Sequence, residues 1–132
     1  MKLKQEERQL LLKDLSARLP YNPMVHIHDL DVTDDDNYLY ATYLDSMMSY
    51  SIRLKPYLRP MSSMTEEEEK EYRKTMDKYT HRLHTNSAGF SEHVEYSWTI
   101  ETFDFLNAHH LDYRGLISMG LAIEAPKEMY KL

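Results

Sequence analysis

The sequence predicts a small α+β fold, with helices towards both ends and a short antiparallel sheet between them. Residues 4–19 and 65–79 carry apolar side chains at helical spacing, whereas residues 24–54 alternate apolar and polar positions with the period of a strand. The length of 132 residues suits one domain, and the 42% hydrophobic content is enough to build a core. We therefore expect a single domain over residues 1–132.

The first predicted helix, over residues 4–19, has one apolar face. Four leucines form it: Leu11, Leu12, Leu15 and Leu19. The charged side chains, Asp14 among them, lie largely elsewhere on the helix. Pro20 lacks a backbone N–H and ends the helix. Core packing explains this leucine face better than a partner-binding helix does.

Residues 24–54 are expected to form a three-stranded antiparallel meander. Val25 and Ile27 alternate with His26 and His28 in the first strand, and the next two strands are predicted over 38–44 and 48–54. The Asp-rich residues 33–37 suit a turn, because Asp and Asn side chains bond to nearby backbone.

Two main helices are expected after the sheet. Residues 55–64 contain two prolines and are predicted to be irregular. Thr65 and Glu68 fit a capping box at the start of the helix over 65–79. The buried face of that helix is predicted to consist of Tyr72, Met76 and Tyr79.

The remaining residues predict a loop, a helix and a short third helix. Residues 80–92 are predicted to be a loop, and a helix is expected from about Ser97 to His110. Asp112 is predicted to cap a short helix through Met119, and Gly120 suits the left-handed residue that ends it. Residues 121–123 are a candidate short strand.

The composition excludes several classes of function. The absence of cysteine rules out disulfides, thiolate metal sites and cysteine nucleophiles. Three glycines, with no GxGxxG, GxxxxGK[ST] or GxSxG pattern, rule out the usual nucleotide-binding loops and the common serine-hydrolase turn. No cofactor is predicted.

Charge and hydropathy bear on partners and location. The 16 Lys and Arg against 22 Asp and Glu, a net charge of −6, argue against a sequence-independent grip on nucleic acid. An acidic protein can instead dock on a basic surface. No segment has the length and hydropathy of a signal peptide or a membrane span, so we expect a cytoplasmic protein.

Four segments of the chain resemble one group of proteins. They read QLLLKDLSARLPY (9–21), KPYLRPMSSMTEEE (55–68), LNAHHLDYRGLI (106–117) and GLAIEAP (120–126). The chain resembles uncharacterised small proteins of gut bacterial genomes, which often lie beside prophage-like or mobile elements. The resemblance implies a mobile-element accessory protein, and it implies no particular activity.

The pattern His26–Ile27–His28 is the sharpest metal-like feature. Alternate residues of a strand point to one face, so both imidazoles can approach one ion, with Asp29 or Asp31 as a third ligand. The alternative, polar residues on the wet face of a half-exposed strand, explains the same pattern and is preferred.

A second candidate cluster lies at residues 109–114. His109 or His110 with Asp112 is a chemically reasonable acid–base pair, and Arg114 is suited to a carboxylate or phosphate. The structural alternative makes Asp112 a cap and packs one histidine against a neighbouring helix. Tyr113 lies within the same cluster of candidate binding residues.

A third candidate lies in the segment between Pro56 and Pro60. Tyr57 and Arg59 are candidate binding residues there, because ordered polar and aromatic loops often bind ligands. The structural alternative is that the two prolines fix the crossing from sheet to helix.

Two functional hypotheses follow. The first is a non-enzymatic protein-interaction module, favoured by the acidic balance, the lack of catalytic motifs, and 11 tyrosines and 9 methionines, residue types suited to interfaces. The alternative is a small ligand-binding or metal-binding protein, or an enzyme, that uses the cluster at 109–114 or the pair His26 and His28. Acidic mimicry of nucleic acid is a third and weaker hypothesis.

Overall fold

A computed structural model of the chain describes residues 4–29, 34–49, 52–85 and 89–130, which form four α-helices and six β-strands. The chain divides into two compact units, unit 1 (Met1–Ser63 with Asn107–Leu132) and unit 2 (Met64–Leu106). The predicted mixture of helices and antiparallel strands is confirmed. The helices are α1 (Gln5–Arg18), α2 (Ala41–Met48), α3 (Glu66–Thr75) and α4 (Ile100–Ala108). The strands are β1 (Met24–Asp29), β2 (Asp34–Tyr38), β3 (Ile52–Leu58), β4 (Asp77–Thr85), β5 (Gly89–Ser97) and β6 (Ile123–Glu124).

The sheet of unit 1 has the strand order β2-β1-β3-β6. β1 lies in the middle and pairs antiparallel with both β2 and β3, while β3 pairs parallel with β6 at Tyr57 and Ile123. The predicted three-stranded meander is therefore wrong. Strands of a meander neighbour each other in chain order, whereas here β3 returns to the far side of β1 and a fourth strand joins it.

Helix α2 causes this difference, because it occupies residues that were expected to be a strand. β2 ends at Tyr38, and Ala41–Met48 is helical. Leu44 and Met47 are both buried in the core of unit 1. A strand would direct residues three apart to opposite faces, whereas a helix places them on one face. Packing therefore favours the helix.

Strand β3 extends further than predicted. It runs over Ile52–Leu58, through residues that were expected to be irregular, and its buried positions alternate at Leu54, Pro56 and Leu58. The period-two burial keeps Pro56 in the strand although it has no N–H to donate.

The core of unit 1 lies where α1, α2 and the sheet meet. Leu11 and Leu15 of α1 are fully buried there, which confirms the apolar face of the first predicted helix. The fully or largely buried members of this core are Leu11, Leu15, Val25, Leu39, Leu44, Met47, Leu54, Leu58, Leu116, Leu121 and Ala122.

Unit 2 begins with α3 and continues into a long β-hairpin. The predicted capping box is confirmed, with Glu68 N–H donating to Thr65 Oγ1 at 3.1 Å and Thr65 N–H donating to Glu68 Oε1 at 3.0 Å. The helix ends at Thr75, however, and no α3 residue is buried. Tyr79, predicted to lie on its buried face, is in β4 and 51% exposed.

The predicted loop over 80–92 is also wrong. β4 and β5 pair antiparallel from Asp77 with Ser97 to Thr85 with Gly89. The Asn86–Ser87–Ala88 part of the predicted loop lies outside the described residues.

Helix α4 is shorter than expected and has a reciprocal cap. Thr102 N–H donates to Thr99 Oγ1 at 3.2 Å, and Thr99 N–H donates to Thr102 Oγ1 at 2.9 Å. The helix expected after Asp112 is a series of turns instead. Gly120 has a φ of +75°, so the predicted left-handed residue is confirmed.

Candidate functional site

The cluster predicted at residues 109–114 is organised around Asp112, which is buried. Its carboxylate accepts hydrogen bonds from the backbone N–H groups of Leu116 at 2.8 Å and Ile117 at 3.0 Å. Charge-assisted bonds of this kind stabilise a turn by satisfying its free N–H groups. Asp112 therefore has the capping contacts that were its structural alternative.

His110 is held tightly in unit 1. Its φ of 59° is in the left-handed region, and its ring stacks on Tyr130 with centroids 3.8 Å apart and planes 18° apart. Burial, together with the electrostatic effects of Arg18, the neighbouring His109 and Arg59, lowers the pKa of His110 to about 4. A neutral imidazole with so low a pKa is a poor acid or base at pH 7.

Tyr130 connects the same region to the sheet. Its hydroxyl accepts a hydrogen bond from Met24 N–H at 2.7 Å and donates one to the Tyr57 carbonyl at 2.8 Å. Burial raises the pKa of Tyr130 to about 12. The side chain thus joins β1 to β3 while its ring covers His110.

Arg114 belongs to a charged network that reaches α1. Asp14 and Arg18, one helical turn apart, are fully buried and bond at 2.8 Å through Arg18 Nε. Arg114 Nε donates to the other Asp14 oxygen at 3.1 Å, and Arg18 Nη2 donates to the Leu111 carbonyl at 2.7 Å. One carboxylate thus lies between two guanidinium groups.

Tyr113 completes this network. The guanidinium carbons of Arg18 and Arg114 lie 5.1 and 5.0 Å from the centroid of its ring, within the range of cation–π attraction. The Tyr113 hydroxyl donates to Asn107 Oδ1 at 2.9 Å. Arg18 Nη1 is buried and has no hydrogen-bond partner among the described residues.

The buried pair Asp14 and Arg18 was not predicted from the sequence. Asp14 was placed away from the apolar face, and Arg18 was not singled out. The signal was present, because an i,i+4 pair of opposite charge directly beside Leu11 and Leu15 occupies the same side of a helix. Ion pairs at that spacing are common on exposed surfaces too, so the pattern alone does not indicate burial.

Arg59 connects two chain segments through its backbone and its side chain. Its N–H donates to the His110 carbonyl at 2.7 Å, and its own carbonyl accepts from Asp112 N–H at 2.8 Å. Its guanidinium donates to the His109 and Ser63 carbonyls, at 3.4 and 3.2 Å. The contacts of this predicted binding residue bring residues 59–63 and 109–112 together.

Tyr57, His26 and Asp36 form a network on the polar face of the sheet. Asp36 Oδ1 is 2.8 Å from His26 Nδ1 and accepts a hydrogen bond from the Tyr57 hydroxyl at 2.9 Å. The bonds from His26 and Tyr57 lower the pKa of Asp36. Burial, and then the bond to Asp36, raises the pKa of Tyr57.

His26 and His28 occupy alternate positions of β1 and pair with neighbours on β2 and β3. The predicted common face agrees with this register. Among the described residues, no group of three or more His, Cys, Asp or Glu could hold a metal ion. Asp31, one of the predicted third ligands, lies outside the described residues.

An exposed apolar surface lies on unit 2, over the end of β5 and the start of α4. Val94 and Tyr96 are alternate residues of β5, Trp98 follows them, and Ile100 and Phe103 lie three apart on α4. The Trp98 and Phe103 rings meet edge to face, with centroids 5.3 Å apart. We call these five residues the aromatic surface.

The exposure of the aromatic surface is unusual for its residue types. Ile100 is 80% and Tyr96 55% exposed, and the other three members are each about 40% exposed. Sequence patterns did not reveal this, since an apolar residue at strand or helix spacing predicts burial. Scattered apolar side chains are normal on a surface, whereas a group of them close together marks an interaction site. Here the Trp98 and Phe103 rings are in contact, and the other three members lie within four positions of Trp98 along the chain.

No known protein family, curated protein or solved structure matches the chain at a significant level. Among the described residues, no helix has both the length and the apolar character needed to cross a bilayer.

Proposed function

We propose that this protein is a non-enzymatic, cytoplasmic interaction module that binds another protein through the aromatic surface of unit 2. The observation that carries this proposal is the grouping of exposed apolar side chains on one short stretch of unit 2. Among the described residues, unit 1 exposes four large apolar side chains, Tyr38, Tyr40, Met48 and Met119, which are spread over its length. Unit 2 exposes six, and five of them lie within residues 94–103 and form the aromatic surface.

The energetics support a partner at this surface. Full burial of a large apolar side chain is worth about 1.5–3 kcal/mol. Because the five side chains are on average about half exposed, covering them contributes about 4–7 kcal/mol. Tyr96 and Trp98 also belong to the residue types that most often dominate binding energy at interfaces.

The candidate residues of unit 1 are engaged in structural contacts. Asp112 caps a turn, Arg114 bonds to Asp14, and His110 is stacked and neutral. These contacts are the reason for placing the function on unit 2. The resemblance to proteins that lie beside prophage-like elements agrees with an accessory protein that binds a host or phage protein.

A lysate experiment with matched variants tests the proposal. The variant Tyr96→Ser with Ile100→Ser removes two highly exposed members of the aromatic surface, so the fold should persist. The control, Tyr38→Ser with Met48→Ser, removes two side chains of unit 1 that are 52% and 56% exposed. Each tagged protein is used to capture partners from a lysate of the source cells, with quantitative mass spectrometry as the readout.

The proposal predicts a protein that the native chain and the control retain and that the surface variant loses at least about tenfold, the equivalent of 1.4 kcal/mol. If no captured protein shows this difference, the aromatic surface is not a protein-binding site. Circular dichroism of both variants verifies that the fold is retained.

A further inference from the structure

We infer that the partner presents a basic, amphipathic segment to the aromatic surface, with apolar side chains on the aromatic residues and arginines beside them. This inference rests on the proposed function and adds the chemistry of the partner. It follows from where the charges of the chain lie.

The negative charge of the protein is concentrated on unit 2. Residues 64–106 contain 10 Asp and Glu against 5 Lys and Arg, a net charge of −5. The rest of the chain contains 12 and 11, a net charge of −1. The unit with the exposed apolar surface is thus also the unit with the acidic field, which attracts cationic partners and repels anionic ones.

Two of these acids flank the aromatic surface on α4. Glu101 and Asp104 are exposed and lie three positions apart on α4, as Ile100 and Phe103 do. Residues three apart share one side of a helix, so the two acids form a row next to the row of apolar side chains. Neither carboxylate has a hydrogen bond or ion pair among the described residues. Both therefore remain available to a cationic partner.

Lys78 of β4 is the basic residue paired directly with a member of the aromatic surface, because it lies opposite Tyr96 in the hairpin. The other basic residues of unit 2 are Lys70, Arg73 and Lys74 of α3 and Arg82 of β4, whereas α4 has Glu101 and Asp104 and no basic residue. A basic segment would therefore lie along α4, with its cations beside Glu101 and Asp104 rather than at β4.

Charge also decides between occupants of the surface. A second copy would bring another unit of net charge −5 against the first, and nucleic acid or an anionic membrane would be repelled in the same way. An arginine-bearing peptide instead gains ion pairs with the carboxylates and cation–π contacts with Tyr96 and Trp98. The free energy gained by burying the apolar side chains is comparable to the entropic cost of association. The ion pairs and cation–π contacts therefore determine the affinity.

The test uses designed peptides and the intrinsic fluorescence of the protein. Trp98 is the sole tryptophan and lies in the aromatic surface, so its emission reports directly on coverage. The probe is an amphipathic peptide of about 18 residues with leucines on one face and arginines on the other. A second peptide carries glutamate in place of every arginine, and neither contains tryptophan.

The basic peptide is expected to shift the Trp98 emission to the blue and to saturate, and the acidic peptide is expected to have no effect. Neutralising the acidic row with Glu101→Gln and Asp104→Asn should weaken binding by about three- to tenfold, as expected for two exposed ion pairs. The control, Glu6→Gln with Asp45→Asn, makes the same change in net charge on exposed residues of unit 1 and should change binding less than about twofold.

The outcomes separate this inference from the proposed function. Equal binding of both peptides, or equal weakening by the two neutralised variants, overturns the basic partner. The aromatic surface then remains an apolar docking site, provided that the lysate experiment shows its predicted difference. If neither peptide changes the Trp98 emission, the inference fails whatever the lysate experiment shows.

Discussion

The Asp14 carboxylate is the group on which the buried charges of unit 1 most depend. One of its oxygens accepts from Arg18 Nε at 2.8 Å and the other from Arg114 Nε at 3.1 Å. The change Asp14→Asn preserves the size of the side chain but removes its charge and turns one acceptor into a donor. Two guanidinium groups around Tyr113 would then have no carboxylate between them.

The expected loss is large because Asp14 and Arg18 are both fully buried. Removing one partner of a buried ion pair costs about 3–5 kcal/mol, since the remaining charge stays in a poorly solvated site. A typical domain has a free energy of unfolding of about 5–15 kcal/mol, so the variant should be marginally stable. For a urea slope of about 2 kcal/mol per molar, the unfolding midpoint should fall by about 2 M.

Urea unfolding followed by far-UV circular dichroism measures this shift. The matched control is Asp45→Asn, which changes an exposed aspartate of α2 and should move the midpoint very little. A loss below about 1 kcal/mol for Asp14→Asn, close to the value for a surface pair, would refute the reasoning, because the carboxylate would then not be holding a buried charge.

Three further predictions concern single hydrogen bonds and one titration. Because the pKa of His110 is about 4 when folded and 6.5 in its ordinary state, the unfolded chain takes up the proton first as the pH falls below 6.5, and stability is lost between pH 6.5 and about 4. Asn tolerates the left-handed backbone, so His110→Asn should keep the fold while removing this titration. The loss of unfolding free energy between pH 7 and about pH 4.5, measured by thermal unfolding, should be about 2–3 kcal/mol smaller in the variant than in the native chain. An equal loss in both proteins would contradict the lowered pKa of His110. Tyr130→Phe should cost about 1–3 kcal/mol in urea, because the Met24 N–H loses its partner, and a neutral result would mean that water replaces the hydroxyl. Thr102→Val should cost about 1–3 kcal/mol, because the fully buried hydroxyl of Thr102 bonds to Thr75 and Thr99. Urea unfolding followed by Trp98 fluorescence measures this loss, and an unchanged midpoint would contradict the prediction.

Local patterns predicted those parts of the fold that local interactions decide. The helix α1 follows from its leucine spacing, the start of α3 from the reciprocal bonds of Thr65 and Glu68, and the conformation of Gly120 from its lack of a side chain. Each of these depends on residues within four positions of one another, so the sequence carries the whole signal.

Longer-range packing decided the parts that were predicted incorrectly. The alternation around Tyr38 and Leu44 fits a strand, but the core selects a helix that buries Leu44 and Met47 together. Strand pairing between β4 and β5 likewise occupies most of the residues predicted to be a loop over 80–92. Neither choice can be made without knowing what lies opposite the segment.

The candidate sites divide in the same way. The two-residue period of a strand correctly predicts that His26 and His28 lie on one face. It does not show that Asp36, ten residues away in the chain, bonds to His26. The exposure of Trp98 and its neighbours cannot be read from periodicity, because the same pattern describes a buried strand and a binding surface.

The division of the chain has a consequence for how the protein is made. Unit 1 needs both Met1–Ser63 and Asn107–Leu132, and the contact between Met24 and Tyr130 spans 106 positions. Ribosomes add about 5–20 residues per second, so several seconds pass between the synthesis of Met1–Ser63 and that of Asn107–Leu132. Leu11, Leu15 and Leu54 have no access to Leu116 and Leu121 in that interval. The nascent chain is therefore a better substrate for chaperones than the finished protein, and a ribosome stall within unit 2 would release a fragment with an uncovered core.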